Sequence, residues 1–312
     1  MKSLRVLLVA EESAGLRALE LLAASPHIIV AVCTSGTSQA GGSAVAGRAN
    51  ALGVPLRGAD LVSDDAFADE LRAARIDVLL NVHSLRIASP AVIAAASIGA
   101  FNLHPGPLPE YAGLSVPSWA IYNGESAHAV TLHRMEAEVD SGPIAFEARY
   151  PIAEHDTGLT VSATATTLGV PLIGRLLDAA ARGSVPVREQ DSARRRWYPR
   201  AGPHGRRVPW RLPARRIVDF VRASNYSPLA SPWGAPITSG RHGEVELLRA
   251  RTTGESAPAA PGTIERAEGE AVLVAGIDEL VAVEAVRSTG GRARVVDLLQ
   301  PGDHLDLGPD PG

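Results

Sequence analysis

Leu4–Ala10 reads LRVLLVA, a run of leucine and valine broken only by Arg5 near its start and closed by Ala10, with no polar alternation from Val6 onward. A strand covered on both faces has this composition, because neither face meets water. Working outward, Gly15–Ala24 (GLRALELLAA) changes to helical spacing and His27–Cys33 returns to an apolar run. The alternation continues with an amphipathic helix over Asp64–Arg75 that turns Phe67 and Leu71 inward, and a buried strand at Asp77–Val82. A helix at Pro90–Ala96 and a short strand at Gly99–Leu103 follow. Strand and helix in turn predict an α/β fold: a doubly wound, mostly parallel sheet with right-handed crossovers. Ser35–Gly47 (SGTSQAGGSAVAG) reads as a mobile Gly/Ser-rich connection.

Further along, a strand is expected at Ile144–Ile152 and a helix at Thr160–Ala181, with Leu168, Leu172, Leu176 and Leu177 on one stripe. Ser192–Pro213 (SARRRWYPRAGPHGRRVPWRLP) breaks every periodicity and reads as a linker. After a helix at Ala214–Ala223, short β runs recur at Val245–Ala250, Gly262–Arg266, Ala271–Ala275 and Leu280–Val286. Their spacing predicts a small β-barrel, with Thr253–Pro261 as a flexible loop within it. The expected organisation is a catalytic domain over 1–191, a linker over 192–213 and a β-rich domain over 214–312.

Composition narrows the function. With 312 residues, 46% hydrophobic and a formal charge of −4, the chain has no global basic field to draw it to nucleic acid. Its single cysteine, Cys33, lies in an apolar run and cannot staple the fold internally; no Cys/His cluster has zinc spacing, so no metal is expected. The charged N-terminus carries too short an apolar run for a signal peptide, and no stretch is long enough to span a membrane. A soluble, cytoplasmic protein is the expectation.

The chemistry lies in FNLHPGPLPEYAG at Phe101–Gly113 and EVDSGP at Glu138–Pro143. Asn102 and His104 share parity on an extended segment, so both face one side, and the chain turns immediately after them. In a doubly wound sheet, ligands bind beyond the carboxyl ends of the strands, where these residues fall. An amide and an imidazole can stabilise an oxyanion, at about 3–4 kcal/mol per donor. The carboxylate of Asp140 can hold the imidazole protonated and relay a proton. That is the equipment of acyl transfer.

These residues carry a resemblance. NLHPGPLPEYAG at Asn102–Gly113, EVDSGPI at Glu138–Ile144 and SLRI at Ser84–Ile87 resemble the motifs of the formyltransferases that use 10-formyltetrahydrofolate. The interval between His104 and Asp140 is also that of the purine-pathway members. The resemblance implies Asn102, His104 and Asp140 as catalytic residues. It implies Leu85, Arg86, Ile87, Val139 and Asp140 around the folate, and 10-formyltetrahydrofolate as formyl donor. The linker and β-rich tail resemble the C-terminal, OB-like domain of methionyl-tRNA formyltransferase.

The acceptor is narrowed by exclusion. Glu11 and Glu12 stand where the purine enzyme has a phosphate-binding loop, and would repel a phosphate but suit an amine-bearing acceptor. Thr34–Arg48 carries one charge, Arg48, where the tRNA enzyme has a basic insertion. The linker arginines (Arg194–Arg196, Arg200, Arg206, Arg207) read as partners for acids and helix ends. Leu114–Glu125 (LSVPSWAIYNGE) matches the position of an aromatic-bearing helix beside the acceptor in family members acting on small or carrier-tethered amines. Glu11, Ser118, Trp119 and Tyr122 are therefore the candidate acceptor residues. Tyr226 and Trp233 either pack the small domain or line an acceptor cleft. The expected activity is formyl transfer to a small or carrier-bound amine: an amino sugar, a hydroxyornithine-like compound or an aminoacyl group. Methionyl-tRNA formyltransferase, a 10-formyltetrahydrofolate hydrolase and a silent folate- or partner-binding protein are the alternatives. The chain opening directly on its first strand argues against the hydrolase.

Overall fold

The computed structural model describes residues 2–36, 43–288 and 291–310. Contacts divide the chain into two compact units. The first comprises Met1–Gly113, His128–Tyr150 and Ala163–Trp197, and the second Leu114–Ala127, Pro151–Ser162 and Tyr198–Gly312. Residues 37–42 of the expected Gly/Ser loop lie outside the described residues.

The first unit is built on the predicted alternation. Its elements are β1 (Arg5–Ala10), α1 (Glu12–Ala23), β2 (Ile28–Thr34), α2 (Ala44–Ala51), β3 (Leu56–Gly58), α3 (Phe67–Ala73), β4 (Val78–Val82), α4 (Pro90–Ala94) and β5 (Gly99–His104). After the two-residue strand β6 (Ala112–Gly113) the chain forms α5 (Val116–Tyr122), which belongs to the second unit, and then β7 (Ala127–Arg134), β8 (Ile144–Pro151) and α6 (Gly158–Ala181), whose residues from Ala163 onward belong to the first. The sheet order is β3-β2-β1-β4-β5-β7-β8. Pairing is parallel from β3 to β5, and β7 runs antiparallel to β5.

Four of the five side chains of β4 are apolar and all five residues are buried, which explains its lack of alternation. Phe67 and Leu71 do turn inward, onto Leu7, Val9 and Leu79. Cys33 is fully buried, and that burial pushes its thiol up to about 12, so it behaves as a small apolar side chain.

Three local readings differ from expectation. Helix α1 begins at Glu12, whose backbone is left-handed (φ 58), rather than at Gly15. Strand β7, at a position where no element was expected, has the sequence AHAVTLHR, which places histidines on both faces and so lacks a simple apolar/polar alternation. Thr253–Ser256, expected to be loop, is the end of a long strand paired with its neighbour at Ser256↔Glu279.

The second unit holds β9 (Trp197–Tyr198) from Tyr198 onward, α7 (Ala214–Ala223) and an antiparallel sheet. Its strands are β10 (Ile237–Gly240), β11 (Gly243–Ser256), β12 (Ile264–Glu268), β13 (Ala271–Ala275), β14 (Glu279–Ser288) and β15 (Gly291–Ala293). They pair in the order β10-β11-β14-β13-β12, with β15 on β14, and α8 (Val295–Leu298) follows. Trp210, Ile217, Val221, Leu247, Val281 and Val283 form its core. Helix α7 also buries an ion pair. Arg222 Nε donates to Asp219 Oδ1 at 2.7 Å, and Arg222 Nη1 reaches the carbonyls of Ala153 and Asp156 at 3.1 and 3.0 Å. Trp233 packs against Trp119, Tyr122 and Phe220.

Removing one member of a buried pair leaves the other charge unmatched. Asp219→Ala is therefore expected to cost about 3–5 kcal/mol. A urea titration following tryptophan fluorescence checks this, since Trp210 and Trp233 report on the same unit.

Candidate active site

β5 ends the parallel half of the sheet and delivers Asn102 and His104 to its carboxyl edge. Register does the rest. Asn81 on β4 sits opposite Asn102, and Asn102 sits opposite His133 on β7, so three polar side chains form a row across adjacent strands. Asn81 Nδ2 donates to Asn102 Oδ1 at 2.9 Å. That bond turns the Asn102 amide nitrogen the other way, toward His133 Nε2 at 3.1 Å and Asp140 Oδ1 at 3.4 Å. His133 Nδ1 lies 2.8 Å from the Arg134 carbonyl and donates to it, leaving Nε2 to accept from Asn102.

Asp140 comes from the turn between β7 and β8 and is itself left-handed, with φ 57. Its carboxylate is buried, accepts from the Gly113 N–H at 3.0 Å, and faces His104 Nδ1 at 3.6 Å and His133 Nε2 at 3.5 Å. Gly113 has φ 102, which a side chain would strain. Burial alone would raise the Asp140 pKa. The facing His104 and His133 imidazoles and the Gly113 N–H outweigh it and hold the group below the ordinary carboxylate range. Asp140 is thus ionised at neutral pH.

His104 donates from Nε2 to the Tyr111 carbonyl at 2.6 Å, so only Nδ1 is left for chemistry. Complete burial lowers its pKa, against the pull of Asp140 and the Tyr111 carbonyl in the other direction. The resting ring is neutral, beside a carboxylate that stabilises it once protonated. Asn102, His104 and Asp140 are therefore in one cluster, and His133 and Asn81 join them.

The remaining candidates are placed as follows. Leu85, Ile87 and Val139 are exposed apolar side chains of the first unit. Leu85 and Arg86 line a cavity of about 400 Å³ with Glu11, Glu12, Ser35, His83 and Ser84. It opens beyond β1 and β4, where successive connections leave in opposite directions, the expected crevice of such a sheet. Glu11 is at this cavity, but its carboxylate also accepts from Thr34 Oγ1 and the Ser35 N–H. Ser118, Trp119 and Tyr122 lie on α5 in the second unit. Their polar atoms are paired there, with Tyr226 Oη, the Pro199 carbonyl and His204 Nε2 respectively. The arginines expected to pair with acids include Arg194, which meets Glu110, and Arg195, which meets Glu138. Among the described residues, no group of three His, Cys, Asp or Glu could hold a metal ion, and no helix is long and apolar enough to cross a membrane.

Comparison with known proteins agrees with this architecture. The model of the formyl transferase family matches residues 6–175, and that of the formyl transferase C-terminal domain matches residues 202–299. An N-formyltransferase from Helicobacter canadensis, solved with folinic acid and dTDP-3-aminofucose, superposes with a TM-score of 0.67 at 16% identity, covering 90% of this chain and 99% of that one. HypX from Aquifex aeolicus, solved with tetrahydrofolic acid, gives 0.65 at 20% identity, covering 96% of this chain and 47% of that one. A 4-N formyltransferase from Francisella tularensis gives 0.61 at 16% identity, covering 73% and 90%.

His128 supports the same loops: its Nε2 donates to the Pro105 carbonyl at 2.9 Å, while Nδ1 is buried without a partner. Burial lowers its pKa from the ordinary 6.5 to about 4. The unfolded ring takes up a proton below pH 6.5 while the folded ring stays neutral, so stability is full above that pH and falls down to about 4. The expected loss over this window is about 3 kcal/mol. Urea unfolding of wild type and His128→Gln checks it: the gap between them narrows on acidification, and a pH-independent gap would contradict the assignment.

Proposed function

Because the chain belongs to the formyl transferase family, we propose that it transfers a formyl group from 10-formyltetrahydrofolate to the amine of a small acceptor. The observation that carries this reading is the convergence of Asn102 and His104 on Asp140, at 3.4 and 3.6 Å from its carboxylate, at the carboxyl edge of β5. Folate as donor is supported by relatives crystallised with folinic acid and tetrahydrofolic acid.

The residues divide the work. As the amine attacks the formyl carbon, negative charge builds on the formyl oxygen. Asn102 Nδ2 exchanges its long 3.4 Å contact with Asp140 for that oxygen and keeps its shorter bond to His133. The acceptor enters in its ammonium form and gives a first proton to His104 Nδ1, which then donates to the same oxygen, since Nε2 is committed to the Tyr111 carbonyl. Asp140 stabilises that imidazolium and accepts the proton released by the attacking amine. The bond from carbon to the folate nitrogen then breaks, its electron pair stays on nitrogen, and a proton from His104 completes the leaving group. Leu85, Arg86, Ile87 and Val139 offer the exposed apolar surface and single cation for the folate.

For the acceptor we favour an amino sugar on a nucleotide. The Helicobacter relative was solved with such a compound and is covered over 99% of its length. Glu11 and the 400 Å³ cavity beyond β1 and β4 are the first place to seek its contacts. Trp119, on α5, is a second contact to test. The OB-like barrel form of the second unit, the 1–191, 192–213 and 214–312 domain limits, and a cytoplasmic location belong to the same proposal.

The test mixes 10-formyltetrahydrofolate with amino-sugar nucleotides, hydroxyornithine and aminoacyl carriers, and follows tetrahydrofolate release. Amine-dependent release is expected, and Asn102→Ala or His104→Ala should lower kcat by about 10²–10³-fold with folate still bound. Release that ignores the amine would identify water as the acceptor. A chain that neither binds nor turns over formyl-folate would end the proposal.

A further inference from the structure

We propose that the stretch from Arg188 to Arg196 is a positioning strap for Asp140, with Gln190 and Arg195 as its two positioning residues. The inference rests on Asp140 being the catalytic carboxylate.

Within the turn that carries Asp140, Ser141 Oγ donates to the Glu138 carbonyl at 2.8 Å, and the carbonyls at 139, 140 and 142 are held from outside it. Asp140 sits in the left-handed region at φ 57, which a non-glycine residue keeps only when its surroundings impose it. Besides Ser141 and the Gly113 N–H, the groups that impose it come from the chain after α6. Gln190 Nε2 spends both of its hydrogens on the turn, donating to the Asp140 carbonyl at 3.0 Å and the Gly142 carbonyl at 2.6 Å. Arg195 Nη2 donates to the Val139 carbonyl at 2.7 Å, and the same guanidinium pairs with Glu138 at 3.4 Å. Three carbonyls of the turn, at 139, 140 and 142, are thereby fixed from outside it. With its own peptide unit clamped, Asp140 projects its side chain from a fixed backbone position within reach of the Gly113 N–H.

The strap is anchored at both ends. Arg188 and Ile144 exchange two backbone hydrogen bonds of 2.8 Å, next to the Asp140 turn. At the other end, the Arg196 N–H donates to the Pro109 carbonyl at 3.2 Å and its carbonyl accepts from the Ala112 N–H at 3.0 Å. Arg194 adds an ion pair with Glu110. The second anchor grips the turn that supplies Tyr111 to His104 and Gly113 to Asp140. One segment therefore registers the two site loops against each other.

Both side chains keep a cost that packing alone would not select. Gln190 Oε1 and Arg195 Nη1 are buried with no hydrogen-bond partner among the described residues. What each retains is its donor to the Asp140 turn.

Gln190→Leu removes the two donors with little change in volume. Measured with formyl-folate and the accepted amine, kcat should fall about 10–100-fold while the acceptor KM stays within about two-fold. Because Gln190 acts through Asp140, the same change in an Asp140→Asn background should cost nothing further; the slow residual turnover there is read with enzyme in excess. In protein with labelled imidazoles, Gln190→Leu should also shift the His104 and His133 resonances, a readout that needs no activity. Should Gln190→Leu fail to fold, Arg195→Ala carries the same expectations, with Arg195→Lys restoring part of the loss. Folded variants with unchanged kcat and unchanged imidazole signals would overturn the strap, as would an equal loss in both backgrounds. Wild-type turnover by Asp140→Asn would instead remove the catalytic reading of Asp140, while the imidazole shifts still report whether the strap positions it.

Discussion

A carboxylate at 5% exposure is stable only if the protein replaces the water it has lost, and Asp140 has every replacement within reach. The Gly113 N–H, the Asn102 amide and two imidazoles surround it. They come from three pieces of chain, β5, β6 and β7, so the requirement propagates outward. Gly113 must be glycine to aim its N–H, β5 must end where it does to bring Asn102 and His104, and β7 must pair antiparallel with β5 to bring His133. A charge without such a shell would take up a proton, and the site would lose its base.

The same shell sets the states of its neighbours. His104 is buried enough to rest neutral, yet stands beside a negative charge that favours it once protonated. That combination suits a group that must acquire and return a proton in one turnover. Its tautomer is not free either, because the Tyr111 carbonyl accepts from Nε2 and leaves Nδ1 facing the chemistry. Asn102 is oriented in the same way, by Asn81 holding its oxygen. Orientation in this site is thus decided by groups that would never touch a substrate.

This explains what could be read from the string of residues and what could not. The parallel sheet was legible because uncovered leucine and valine runs have few other uses. Asn102 and His104 were legible because two residues of equal parity before a proline turn must share a direction. Asp140 followed from its motif. His133 and Asn81 were not found, although His133 lies seven residues before Asp140. Their meaning exists only in the cross-strand register Asn81–Asn102–His133, and register is a property of three strands together. Glu11 shows the converse: a carboxylate at a helix start looked available for a ligand, while its oxygens also serve Thr34 and Ser35. A local pattern names a residue's chemistry but not its existing obligations.

The linker alters how the chain divides its labour. Rich in arginine and proline and without periodicity, Ser192–Pro213 looks like mere connection. Yet Arg194, Arg195 and Arg196 of that stretch all bond to the two loops that frame Asp140 and His104. The first unit accordingly extends to Trp197, past the point where helical pattern ends. Lack of periodicity is what such a role requires: a segment that must reach successive carbonyls of two irregular turns cannot itself repeat. Arg195 shows why the residue type suits the place, because its fork of donors serves both the Val139 carbonyl and the Glu138 carboxylate. The least regular part of the sequence is therefore tied most directly to the geometry of the site.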